Sequence, residues 1–267
     1  MIKHQLQTAL GVLRSLTIYY ARPWRNAALA GFYRSLIRPG DLCFDIGAHV
    51  GNRSRALLAA GASVVALEPQ PVFHALLTRT MPRRHFTLIA EAVGREAGTA
   101  NLHVSRRHPT VSTLSSDWIG TVASDPGFQE VRWDGSVEVP VTTLDILIER
   151  FGKPAFCKID VEGMEAAILA GLSYPVPLIA FEYLPASLDN ARACIERLTA
   201  LGNYRFNRIE GEDHAFVHGQ WLDDAGMLAD LDGTRDSGQS GDVYARLDGR
   251  KTSTAAPGKA PASDIAP

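Results

Sequence analysis

The chain has 267 residues, 46% of them hydrophobic and 21% charged, a composition that suits one α/β domain with extensions. Its formal net charge of −2 is unevenly spread, because the first 40 residues hold six Lys or Arg and no Asp or Glu. The remainder therefore carries −8. An acidic core without a basic, aromatic stripe argues against nucleic acid as a partner.

Helices are predicted first, in an N-terminal extension over residues 1–37 that is interrupted near Pro23. Its positive charge has two interpretations, a solvated helix face or a peripheral contact with an anionic membrane surface. No apolar run is long enough for a membrane span, and a secretory signal is not recognisable. We therefore expect a cytoplasmic protein, with membrane association left open.

Strand and helix patterns then alternate. We expect strands at 41–46, 63–67, 86–90, 100–104 (or a hairpin arm here), 137–141, 155–159 and 177–181. Helices are expected at 52–60, 70–81, 143–151, 162–170 and 188–201. Weaker strand patterns follow at 205–209, 215–218 and 243–246. This alternation predicts a doubly wound, mostly parallel α/β sheet that binds its ligand at the carboxyl ends of the strands.

Two segments fall outside this alternation of strands and helices, and we place the main domain at residues 38–250. Residues 105–136 form a long irregular stretch, typical of a binding loop or lid. The tail 251–267 is rich in Ala, Pro, Ser and Thr and is predicted to be disordered.

The three cysteines show neither CxxC spacing nor an even number, which argues against a disulfide framework or a zinc site. Cys43 and Cys157 lie in apolar runs and are predicted to be small core residues. Such usage fits a reducing cytosol.

A glycine turn follows the first predicted strand. Asp45 ends that strand, and Gly47 and Gly51 follow it. Glycine permits a tight turn and lets a ligand approach the backbone, while the next helix presents its N terminus there. The spacing DxGxxxG differs from the dinucleotide fingerprint GxGxxG. Taken alone, the turn could be purely structural.

Acidic residues follow the next two strands. Glu68 ends the second strand, where a carboxylate can bind both hydroxyls of a ribose, and Pro69 directs the chain away. Glu91 and Ala92 follow the third strand and could border an adenine ring, although a solvated turn is equally consistent.

The segment KIDVEGME places two further carboxylates at the same sheet edge. Asp160 and Glu162 could stabilise a cation, act as a general base or hold a divalent ion, although no metal-ligand spacing stands out. We expect Glu165 at a solvated helix position and Lys158 as a surface or snorkelling strand residue.

The long segment carries candidate acceptor contacts. Arg106 and Arg107 could bind phosphates or carboxylates, whereas Trp118 and Trp133 could stack on a sugar or anchor the segment on the core. His108 is an alternative base, or a solvated loop histidine.

Six segments occur in a recognisable order: FDIGAHVGN, VVALEPQP, EAVG, VTTLDILIERFG, CKIDVEGMEAAILAG and LIAFEY. Together they resemble the FkbM family of methyltransferases over about residues 38–210, and KIDVEGxE is the most distinctive of them. The resemblance implies a class I methyltransferase (Rossmann-like) fold with S-adenosylmethionine as donor. It also implies O-methylation of a hydroxyl on a sugar, glycolipid or natural product.

The resemblance also assigns residues. The implied cofactor contacts are Asp45, Gly47, Ala48, His49, Gly51, Asn52, Glu68, Pro69, Glu91 and Ala92. Asp160 and Glu162 would lie near the methyl group and the acceptor. His49 stands where Asn is common in the family, a mild departure.

Two alternatives stay open at this point. A nicotinamide-dependent oxidoreductase shares the glycine turn and the ribose acid, but GxGxxG and a Tyr-x-x-x-Lys pair are missing. A non-catalytic nucleotide-binding protein on the same fold is the other. The expected partner is a small-molecule or glycan acceptor, and the oligomeric state is left open.

Overall fold

A computed structural model describes residues 2–21, 23–235 and 238–249 of the chain. The disorder predicted for 251–267 concerns residues outside this description.

The ten strands of the described residues are β1 (Leu42–Ile46), β2 (Ser63–Leu67), β3 (Phe86–Ile89), β4 (Ala92–Val93), β5 (Gly98–Val104), β6 (Gly135–Thr142), β7 (Phe156–Ile159), β8 (Leu178–Tyr183), β9 (Tyr204–Glu210) and β10 (Gly241–Leu247). The nine α-helices within the same ranges are α1 (Ile2–Tyr20), α2 (Pro23–Leu36), α3 (Asn52–Ala59), α4 (Pro71–Thr80), α5 (Ser116–Val122), α6 (Leu144–Phe151), α7 (Glu165–Ala170), α8 (Leu188–Leu201) and α9 (Asp224–Gly233).

The central sheet has seven strands in the order β3-β2-β1-β7-β8-β10-β9. The first five are parallel, and β10 runs antiparallel to both of its neighbours. The sequence order reverses between β1 and β7, which makes their carboxyl ends the topological switch point where such sheets bind ligands. The predicted doubly wound, mostly parallel α/β fold is confirmed.

A smaller sheet of three strands, in the order β4-β6-β5, packs beside the switch point. β5 pairs antiparallel with β6, so the pattern at 100–104 belongs to a hairpin-like arm. Between these two strands, the segment predicted as irregular contains α5, whose first turn is capped by the Ser115 side chain accepting from the Trp118 N–H.

Near the C-terminal end, one predicted strand is absent and one helix was not predicted. Residues 215–218 do not form a strand. Their apolar character serves packing instead, since the Phe216 ring makes an edge contact with Tyr244, 5.3 Å between centroids. The helix α9 was not predicted, because glycines lie near both of its ends and weaken the helical pattern.

Apolar layers cover both faces of the sheet, as parallel strands require. Cys43, Cys157 and Cys194 are fully buried free thiols, so the prediction of core cysteines is confirmed for the first two. The extension is helical as predicted, and α2 seals one face with the buried side chains of Leu29 and Tyr33. None of the helices in the described part is long and apolar enough to cross a bilayer.

Candidate active-site cleft

A cleft of about 730 Å³, counting space open to solvent, lies at the switch point. Its walls come from the strand ends, from the segment after β5 and from Tyr19 of α1. Eight of the residues singled out in the sequence line it: Gly47, His49, Glu68, Pro69, Glu91, Ala92, Asp160 and Glu162. Sequence reasoning missed Tyr19, since no local pattern links the extension to the strand ends.

The other predicted cofactor residues, Asp45, Ala48, Gly51 and Asn52, lie behind the cleft wall and not on it. Asp45 is fully buried and accepts a hydrogen bond of 2.5 Å from the Ser54 hydroxyl on α3. Burial raises the pKa of Asp45, while Ser54 opposes that rise. Asp45 therefore ties the strand end to the following helix and shapes the turn from behind.

The glycine turn is held by close backbone packing. Gly47 has φ +87°, and a Cβ there would lie 2.0 Å from the carbonyl oxygen of Asp160. Gly51 has φ +81°, and a Cβ there would lie 2.6 Å from Leu77. The sequence suggested that a ligand approaches these glycines. The structure adds that neighbouring elements of the chain also approach them, while Gly47 lines the cleft.

Glu68 joins the turn to the second strand. Its Oε2 accepts the His49 N–H at 2.7 Å, and its Oε1 accepts the Gln70 N–H at 2.8 Å. The residue is only 2% exposed, and burial raises the pKa of its carboxyl to about 7. The two hydrogen bonds favour the ionised form and oppose that rise. Each oxygen of an ionised carboxylate has a further lone pair, so both can also accept a hydroxyl proton.

His49 faces the cleft in the left-handed conformation, with φ 49°. Its ring packs edge-on against Phe73, 4.1 Å between centroids. Burial lowers the pKa of His49 to about 4, against the attraction of Asp160, so the imidazole is neutral at pH 7. Its Nε2 is buried without a hydrogen-bond partner among the described residues, which leaves one polar atom for a ligand to satisfy.

Asp160 belongs to a buried ionic network that the sequence did not reveal. The Lys158 ammonium is fully buried, donates to Asp242 Oδ1 at 2.8 Å and lies 3.8 Å from Asp160 Oδ2. Arg53 Nε donates to the same Asp160 oxygen at 3.3 Å. Burial by itself would raise the pKa of Asp160, but these two cations hold it below its usual value. The expectation of Lys158 at the surface is wrong, because Asp242, distant in sequence, pairs with it.

Glu162 lies in the same cleft wall, and Glu182 of β8 stands beside it. The carboxylate oxygens of Asp160, Glu162 and Glu182 all come within 4.8 Å of one another. Burial, followed by the negative charge of Asp160, raises the pKa of Glu162 well above its usual value. The trio is close enough to share either a proton or a divalent cation, and Glu182 had no recognised role in the sequence.

Glu165 is not the solvated residue that the sequence suggested. It is 1% exposed, and its carboxylate accepts the N–H groups of Val161 and Gly163 at 3.1 Å each. The Asn190 amide donates to it at 2.6 Å. Glu165 thus fixes the tight turn in which Glu162 adopts φ 56°, a conformation that costs energy outside glycine.

The segment after β5 closes the cleft. Thr110, Ser112, Thr113 and Leu114 line it. The Thr113 hydroxyl donates to the Glu162 carbonyl at 2.7 Å. This bond couples the segment to the KIDVEG turn.

The tryptophans of this segment are anchored internally. Trp118 is 4% exposed and covers Gly163, where a Cβ would lie 2.2 Å from the indole. Trp133 Nε1 donates to the Val111 carbonyl at 2.8 Å. These contacts favour the anchoring interpretation over stacking on a sugar.

The arginines and the histidine singled out in this segment do not line the cleft. Arg106 pairs with Asp134, 3.2 Å between Nη1 and Oδ2. Arg107 is exposed, and His108 is not among the residues that line the cleft. The alternative of His108 as the base therefore has no geometric support.

Residues 45–181 match the methyltransferase FkbM domain family, and this stretch covers half of the chain. The chain belongs to the FkbM methyltransferase family. The resemblance noted in the sequence is confirmed, and the family membership decides against a nicotinamide-dependent oxidoreductase. It also points to S-adenosylmethionine as the cofactor.

One curated relative is the hexuronic acid methyltransferase AglP of Haloferax volcanii, 24% identical over 143 residues, which are 53% of this chain and 54% of AglP. The chain thus matches only about half the length of this relative.

Solved structures with a similar fold include a methyltransferase FkbM from Methylobacillus flagellatus, with 16% identity and a TM-score of 0.45, covering 81% of this chain and 50% of that one. Another is an O-methyltransferase from Bacillus cereus in complex with SAH, with 11% identity and a TM-score of 0.45. The match covers 93% of this chain and 91% of that one.

Proposed function

We propose that this member of the FkbM family transfers the methyl group of S-adenosylmethionine to a hydroxyl of a sugar, glycolipid or natural product. The observation that carries this proposal is the pairing, in one cleft, of a carboxylate suited to ribose with a second carboxylate suited to taking a proton. Glu68 and Glu162 both line that cleft.

The described residues fit the cofactor. Glu68 would bind the ribose hydroxyls through its free lone pairs, and Ala92 and Leu114 offer apolar surface for a flat base. The neutral His49 adds no repulsion toward a positively charged sulfonium, and its buried Nε2 is unsatisfied in the described structure. The roles of Asp45 and Gly51 are then to hold the turn from behind.

When bound, S-adenosylmethionine supplies an electrophilic methyl group on a positively charged sulfur. A hydroxyl is a poor nucleophile until its proton is being removed, so the chain must provide a base. Glu162 suits this task better than Asp160, because its raised pKa makes its ionised form the stronger base. Asp160, whose pKa the two cations hold low, stays ionised and contributes negative charge.

A sugar acceptor is supported by two observations. AglP, the curated relative, is described as a hexuronic acid methyltransferase. The lining of the cleft also offers hydroxyls on Thr110 and Ser112, which can exchange hydrogen bonds with a polyhydroxylated ligand.

Calorimetric titration tests the cofactor first. We expect S-adenosylhomocysteine to bind, NAD and NADP not to bind, and Glu68→Ala to abolish binding. Asp45→Ala serves as the second variant. Its thermal unfolding is also recorded, because Asp45 does not line the cleft but holds the turn through its bond to Ser54. A preference for a nicotinamide cofactor would refute the proposal.

Transfer of a labelled methyl group tests the acceptor. The panel pairs each sugar with its deoxy analogue at one hydroxyl, and includes a hexuronic acid and the matching neutral hexose. Label on a hydroxyl oxygen supports the proposal. Label exclusively on nitrogen or carbon acceptors would refute the O-methyltransferase assignment while leaving the family intact.

A further inference from the structure

The outward face of α1 is apolar, the reverse of an ordinary surface helix. Leu6, Leu10 and Leu13 are 60%, 56% and 60% exposed. Their spacing of four and three residues places them on one stripe of the helix. Ala9 and Thr17 are also exposed, and neither carries a charge. We call Leu6, Leu10 and Leu13 the leucine stripe.

The opposite face of α1 is occupied by the domain. A Cβ on Gly11 would lie 2.3 Å from the Arg106 carbonyl oxygen, and Ser15 is 1% exposed. The Tyr20 hydroxyl donates to the Val50 carbonyl in the glycine turn at 3.0 Å. The helix is therefore docked in a defined orientation that points the leucine stripe away from the domain.

The charges around the leucine stripe are positive. The first 40 residues hold six Lys or Arg and no acid, although the chain as a whole is acidic. Arg14 and Arg25 are exposed. Arg14 and Arg107 both lie near His108, whose pKa is lowered first by burial and then by these two positive charges, while Glu130 opposes them. Trp24, 66% exposed, adds a side chain typical of membrane–water interfaces.

We propose that α1 binds the surface of an anionic membrane, with the leucine stripe buried at the boundary of the acyl chains and Arg14 and Arg107 against the headgroups. Apolar residues beside a largely basic set are the pattern of an interfacial helix. Pairing with a second copy is disfavoured, because it would bring two positively charged segments together.

This placement would bring the membrane close to the cleft. Tyr19 is on the same helix as the leucine stripe and lines the cleft wall. If the proposed function holds, an acceptor carried on a lipid could then reach the cleft without leaving the bilayer. The membrane contact itself does not depend on that function.

Vesicle flotation of the full chain tests the proposal. The probes are phosphatidylcholine vesicles with and without phosphatidylglycerol. We expect flotation with the anionic vesicles and less of it at high salt. The triple variant Leu6→Gln, Leu10→Gln, Leu13→Gln should lower the partition coefficient by more than about a hundredfold. A control triple variant, Ile146→Gln, Tyr174→Gln, Val217→Gln, replaces apolar residues that are 41%, 45% and 43% exposed elsewhere and should float like the wild type.

A second variant tests the electrostatic part without touching the leucine stripe. Arg14→Gln with Arg107→Gln should weaken partitioning by about fivefold for each arginine removed. Binding of S-adenosylhomocysteine and thermal unfolding, measured for every variant, verify that the fold is kept.

Three results would overturn the proposal. One is a wild type that stays with the pellet in the presence of anionic vesicles. Another is a leucine-stripe variant that floats as well as the control. The third is a dimer in light scattering that the leucine-stripe substitutions dissolve, since the stripe would then be a self-association surface.

Discussion

Glu68 and Asp160 end the two strands that flank β1, yet their surroundings are opposite. Glu68 is held by two backbone N–H groups, and burial raises its pKa to about 7. Asp160 lies beside Lys158 and Arg53, which hold its pKa low. One edge of the sheet thus offers Glu68, whose pKa lies near neutral pH, and Asp160, which stays charged. The first suits recognition of hydroxyls, and the second sets the electrostatics for the chemistry.

The largest effect is expected at Glu162, which stands beside the charged Asp160. Glu162→Gln should lower kcat by about 10²–10⁴-fold, the usual contribution of a general base, because the amide cannot take the acceptor proton. The affinity for S-adenosylhomocysteine should stay unchanged. Steady-state kinetics and calorimetry measure the two quantities separately.

The matched control is Glu91→Gln, which makes the same change at another carboxylate that lines the cleft and should affect cofactor affinity more than kcat. In the wild type, kcat should rise with pH as Glu162 loses its proton. A Glu162→Gln enzyme with normal turnover would remove Glu162 from the mechanism.

Lys158→Met should cost about 3–5 kcal/mol of the free energy of unfolding, because it leaves Asp242 buried without its closest cation. Urea denaturation measures this loss. The double variant Lys158→Met, Asp242→Asn removes both charges and should recover much of the stability. Equal stability of Lys158→Met and the wild type would show that the network is not coupled to the fold.

Glu68 should make both stability and affinity depend on pH. The folded protein binds the Glu68 proton more tightly than the unfolded chain does, so the associated stability is present below the ordinary pKa of 4.5 and is lost as the pH rises through about 7. The loss amounts to up to about 3 kcal/mol. Relative to the wild type, Glu68→Gln should therefore gain stability over this interval.

Affinity for S-adenosylhomocysteine should change in the opposite sense. The ionised carboxylate accepts ribose hydroxyls, so wild-type affinity should rise through about pH 7, the pKa of Glu68, whereas that of Glu68→Gln should stay flat. Calorimetry across the interval checks this. A flat wild-type profile would mean that Glu68 does not face the ligand in its charged form.

The smallest effect concerns the link between the long segment and the KIDVEG turn. Thr113→Val removes the hydrogen bond to the Glu162 carbonyl and should cost about 0.5–1.5 kcal/mol in unfolding free energy. It should also raise KM for the acceptor while leaving cofactor affinity unchanged. The control is Thr121→Val, an exposed threonine of α5. If both variants raise KM equally, Thr113 has no specific role.

Much of the fold follows from local patterns. The predicted bounds of β2 and α8 agree with the structure, because a β-branched run and an amphipathic repeat ended by glycine are strong local signals. The carboxylates Glu68 and Asp160 were placed at one sheet edge from their positions after parallel strands. The prediction of a strand at 215–218 was wrong because Phe216 packs in an aromatic cluster with Tyr244 and is not part of a sheet.

The site was predictable only where its residues follow the strands. Glu165 and Lys158 were placed in solvent because charged residues usually are, and Glu182 and Tyr19 drew no attention. Glu165 and Lys158 owe their buried places to partners far along the chain, Asn190 and Asp242 respectively. No periodicity or motif spacing records such pairings.

The sequence by itself determined the alternation of strands and helices, the family and the carboxylates that end the strands, because each depends on residues close together in the chain. The tertiary structure alone decided which carboxylates carry charge, which distant residues pack against the glycines of the turn and that α1 reaches the cleft. Burial and ion pairing set these properties, and both depend on which distant segments the fold brings into contact.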